Sequence, residues 1–95
     1  MMDREEIFEK IARILKNQGA RKIAVFGSYV RGEEEPGSDI DIIVEFAARK
    51  SLLELVRIER ELSEVLGIKV DLLTKKSISP YLIDTIREEM EVIYG

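Results

Sequence analysis

Residues 22–44 read Lys-Ile-Ala-Val-Phe-Gly-Ser-Tyr-Val-Arg-Gly-Glu-Glu-Glu-Pro-Gly-Ser-Asp-Ile-Asp-Ile-Ile-Val, and the rest of the chain is arranged around them. Ile23 to Phe26 is short, β-branched and aromatic, so it reads as a buried strand. It stops at Gly27-Ser28. Glycine lets the backbone turn sharply and leaves room for a ligand to approach the main chain. Ser28 is suited to capping a short helical turn, whose free N–H groups and positive dipole end favour a phosphate. Arg31 follows three residues later, on the same side of such a turn. It has two readings: a phosphate contact, or an ion pair with Glu33, Glu34 or Glu35 of the polar, turn-rich loop 33–37.

The second half of the stretch carries acids. Side chains alternate along a strand, so Asp39 and Asp41 share one face while Ile40 and Ile42 take the other. Their Cα atoms are then roughly 6.5 Å apart, within reach of shared cations. Aspartate is disfavoured inside strands, and two beside Ile-Ile-Val need a cause. A divalent metal supplies one, since it neutralises and ligates charge that would otherwise repel itself. Val70-Asp71-Leu72-Leu73 is a further short apolar run with one carboxylate. If it neighbours the first acidic strand, three acids converge, an arrangement suited to two Mg²⁺ ions and in-line phosphoryl chemistry.

Gly27-Ser28-x-x-Arg31-Gly32, then Ser38-Asp39-Ile40-Asp41, then Asp71 on a later strand, resembles the nucleotidyltransferase superfamily of DNA polymerase beta. The small size is similar to the minimal nucleotidyltransferases (MNT), often paired with HEPN-domain toxins. The resemblance covers nearly the whole chain and implies a mixed sheet with strands one, two and three side by side. It further implies catalytic, metal-holding acids Asp39, Asp41 and Asp71, with Asp71 as base toward an incoming hydroxyl. Gly27, Ser28, Arg31 and Ser38 are the implied nucleotide contacts, and Mg²⁺ and ATP the implied cofactor and substrate. The expected activity is AMP transfer to a partner HEPN toxin. Two other classes stay open: a binding module that neutralises its partner by contact alone, and a nucleotidyltransferase acting on a small molecule.

The totals bound these expectations. Ninety-five residues suggest one domain over 1–95, and 45% hydrophobic with 36% charged residues suits a globular protein. There is no Cys and no His, so proton transfer falls to carboxylates, Lys, Tyr or water. A net charge of −4 argues against broad capture of nucleic acid. No apolar run approaches the roughly 20 residues of a membrane span, and the N-terminus reads as a charged helix, which argues for the cytoplasm. Asn17 and Gln18 are the only amides, a thermophile-like composition.

Outside the central stretch, Asp3 and Glu6 have capping-box spacing, with Ile7, Ile11, Ile14 and Leu15 as an apolar stripe and Gly19 as the stop. Ser51 and Glu54 repeat that spacing, with Leu55, Ile58, Leu62, Val65 and Leu66 as the stripe and Gly67 as the stop. Ile68 to Thr74 is the third strand. Lys75 and Lys76 read first as a solvated loop, second as phosphate contacts. Ser79-Pro80 opens a last helix with Leu82, Ile83, Ile86 and Met90 on its apolar side, and Val92 to Tyr94 adds an edge strand. Tyr29, Tyr81 and Tyr94 read as packing residues. Alternating strands and helices give an α/β fold, with the first two strands antiparallel and a helical crossover to a parallel third.

Overall fold

The computed structural model describes residues 3–27, 39–74 and 78–95. In chain order these form α1 (Arg4–Asn17), β1 (Ala20–Phe26), β2 (Ile40–Phe46), α2 (Leu52–Leu66), β3 (Val70–Thr74), α3 (Pro80–Glu89) and β4 (Glu91–Tyr94). The sheet order is β3-β2-β1-β4. β1 pairs antiparallel with β2, and β2 pairs parallel with β3 through the α2 crossover. β4 returns antiparallel to the free side of β1. The expected mixed α/β sheet is therefore present, with strands one, two and three adjacent. β1 begins earlier than its apolar run suggests, because Ala20 pairs with Phe46 across a register shift before Lys22.

Capping chemistry sets the helix starts. The Asp3 carboxylate accepts from the Glu6 N–H at 2.8 Å, and Ser51 Oγ accepts from the Glu54 N–H at 3.2 Å. Ser79 caps α3 with Pro80 at its first position. One face of the sheet is dry. Ile23, Val25, Ile40, Ile42, Val44 and Val70 meet Ile7, Ile11 and Leu15 of α1 and Ile58, Leu62 and Leu66 of α2. Val65 does not join them and is 45% exposed. Ile58, Leu62 and Leu66 already form a complete i, i+4, i+8 row, and Val65 lies beside it. Tyr81 also departs from expectation: it is 91% exposed at the first turn of α3. Tyr94 is exposed at the sheet edge with the Lys16 ammonium 4.8 Å from its ring centroid.

α2 also seals the β3 edge. Ser63 Oγ accepts from the Val70 N–H at 3.1 Å, and Glu59 Oε2 accepts from the Leu72 N–H at 2.9 Å. These donors are two residues apart on the strand, and their acceptors are one helical turn apart. An edge that would otherwise offer free N–H groups is thus occupied by its own crossover helix. Among the described residues, no helix is long and apolar enough to cross a membrane.

Candidate active site

The acids lie on the sheet face opposite α1 and α2. Phe26 is the cross-strand partner of Asp41, and Asp41 is the partner of Asp71. The end of β1, the start of β2 and the start of β3 therefore place Gly27, Asp41 and Asp71 in a row across three neighbouring strands. Gly27 has φ +84°, and a Cβ there would lie 2.7 Å from Asp41 Oδ2. A side chain at residue 27 would be strained and would also collide with the carboxylate. The space that a side chain would need at residue 27 is taken by the Asp41 carboxylate.

Asp41 is partly buried, and its carboxyl is raised above its ordinary value. Burial contributes most, followed by the Asp71 charge, a hydrogen bond with the Asp71 side chain, and the Asp39 charge. Asp39 sits just before β2 and turns its Oδ2 toward the Lys69 ammonium at 3.7 Å. Ile40 N–H donates to the Lys69 carbonyl at 2.9 Å, fixing the two chains side by side at this point. Among the described residues, no three acidic groups already stand in a metal-ligand arrangement. Asp41 and Asp71 share a hydrogen bond, while Asp39 pairs with Lys69. The donor set still fits a hard divalent cation, being all carboxylate oxygen, and such an ion would relieve the repulsion that raises Asp41.

Of the residues singled out in the sequence, Gly27, Asp39, Asp41 and Asp71 are thus placed on one end of one sheet face. Ser28, Tyr29, Arg31, Ser38, Lys75, Lys76, the expected short helical turn and the acidic loop 33–37 lie outside the described residues. Lys69 was missed by sequence reasoning. Its signal was register: if Asp41 faces Asp71 in a parallel pair, residue 69 comes opposite Asp39.

The sheet order and its crossover are those of a nucleotidyltransferase fold. The chain belongs to the nucleotidyltransferase domain family, which it matches over residues 7–93, and is a nucleotidyltransferase. A Methanocaldococcus jannaschii protein described as a candidate protein adenylyltransferase is 52% identical over 88 residues, 93% of this chain and 95% of its own length. The protein adenylyltransferase MntA of Thermococcus cleftensis is 44% identical over 72 residues, 76% of this chain and 73% of its own. Among solved structures, a toxin–antitoxin with AMP-PNP contains a similar chain with a TM-score of 0.85 and 28% identity. That likeness covers 93% of this chain and 73% of that one.

Proposed function

We propose that this chain transfers AMP from ATP to a hydroxyl of a partner protein, and that the partner is a HEPN-type toxin neutralised by the modification. The observation that carries this reading is the row of Gly27, Asp41 and Asp71 across three strands. It is supported by relatives described as protein adenylyltransferases and by the likeness to a toxin–antitoxin chain with AMP-PNP. A cytoplasmic setting, where ATP and Mg²⁺ are abundant, belongs to the same proposal.

Asp39 and Asp41, with Asp71, would hold Mg²⁺, which when bound neutralises triphosphate charge and polarises the α-phosphate. Gly27 presents main chain without a side chain, so the outer phosphates can approach its backbone; Ser28 would add a hydroxyl. Asp41 resists ionising in the protein alone, and a cation held beside it would favour its charged form. Asp71 lies at the β3 side of the row. There it takes the proton as the hydroxyl oxygen bonds to the α-phosphorus and the bond to pyrophosphate breaks. The products are a phosphodiester-linked AMP on the partner and free pyrophosphate. The protein contributes position and charge, with no covalent intermediate of its own.

The test is the intact mass of a cognate HEPN partner after incubation with this chain, ATP and Mg²⁺. The mass should rise by one or more AMP units. Neutralisation with no mass change would instead support a contact-only binding module.

A further inference from the structure

A slot lies on the same sheet face as the acids, between the sheet and α3. Its floor is Ala24 and Ile43, direct cross-strand partners. Its roof is Ile86 and Arg87 of α3 with the helix's C-cap Met90, and its far end is Lys22 and Glu45, the next pair on this face of the two strands. The slot is narrow and open to solvent on one side. An apolar floor, a roof of two apolar side chains beside Arg87, and a charged far end describe a place for a flat, largely apolar ring with polar edge groups.

The spacing connects this slot to the row of acids. Along one strand face, successive side chains are roughly 6.5 Å apart, so Ile43 lies one step from Asp41 and Glu45 two steps. An α-phosphate held at Asp41 would put the attached base about one sugar away, over Ala24 and Ile43, with its far edge toward Lys22 and Glu45. Among the described residues, neither Lys22 nor Glu45 has an ion-pair partner, although they face each other across adjacent strands. Both are only half exposed, so a ligand edge that satisfied them would be recognised in a partly dry setting.

We propose that this slot holds the adenine ring of ATP, with the Glu45 carboxylate accepting a hydrogen bond from the 6-amino group and Lys22 donating to a ring nitrogen. The inference rests on the nucleotidyltransferase reading above and adds the determinant of base choice. A 6-keto base presents an acceptor where adenine presents a donor, so it meets the carboxylate oxygen with repulsion.

Calorimetric titration with Mg²⁺ plus ATP, ITP or inorganic tripolyphosphate tests it, comparing the wild-type chain with E45Q and E45A. Wild type should prefer ATP to ITP by about tenfold or more, the scale of a hydrogen bond to a charged group. Both variants should bring the two nucleotides to similar affinity, with tripolyphosphate binding unchanged. As a check free of substitutions, ATP should shift the backbone amide resonances of Ala24, Ile43 and Met90, and tripolyphosphate should not. Undiminished preference in both variants, or no ATP-specific shifts in the slot, would overturn the base site while tripolyphosphate binding upheld the active site. Failure of the wild type to bind any of the three would overturn both.

Discussion

Gly27 and Asp41 act as a unit at the scale of single residues. Gly27→Ala forces a side chain into a left-handed backbone position and against Asp41 Oδ2. It should cost about 1–3 kcal/mol in urea unfolding and also weaken Mg²⁺-dependent nucleotide binding. A drop in stability with normal nucleotide affinity would separate the glycine from the site. Asp71→Asn removes the proposed proton acceptor while keeping the side-chain shape. Nucleotide binding should remain within a few-fold, whereas single-turnover transfer should slow by about 10²-fold or more, the usual contribution of a general base. Full transfer by that variant would mean Asp71 serves only to hold charge.

At the scale of elements, the crossover helix does more than connect β2 to β3. Glu59 and Ser63 take the N–H groups of Leu72 and Val70, and β3 carries Asp71 between those two residues. Glu59→Ala should therefore cost about 1–2 kcal/mol in urea unfolding, because a half-buried donor loses its acceptor. Glu59→Gln should retain most of that stability through its side-chain carbonyl. Neither side-chain contact was legible in the sequence, because Glu59 and Ser63 lie outside the apolar stripe and the caps that mark the helix. The helix itself was legible, because its caps and its Ile58, Leu62 and Leu66 row are local signals. The antiparallel first pair and the parallel crossover followed from connection lengths. The pairing of Asp41 with Asp71 needed the register, which hydrophobic pattern constrains only to the correct face. Val65 and Tyr81 show the converse limit: apolar character alone does not say which side of a helix the sheet occupies.

For the whole molecule, the two sheet faces divide the work. α1 and α2 bury one face and supply the core, while the other carries the acids and the slot under α3. Charge at Asp41 on the second face is costly in the protein alone. The Asp41 carboxyl is raised in the folded chain, which therefore binds its proton more tightly than the unfolded chain does. The associated stability is complete below the unfolded value, 3.8, and is lost as pH climbs through the raised folded value. Asp41→Asn removes this titration and its loss.

Thermal melting of wild type and Asp41→Asn, with and without Mg²⁺ and ATP at neutral pH, tests the assignment of the acids most directly. The variant without ligand should melt at or above wild type, since a repelled charge is gone. Mg²⁺ with ATP should raise the wild-type melting temperature by mass action and leave the variant unmoved. A marked loss of stability in the ligand-free variant, or an equal ligand shift in both proteins, would contradict the account and make Asp41 a structural residue.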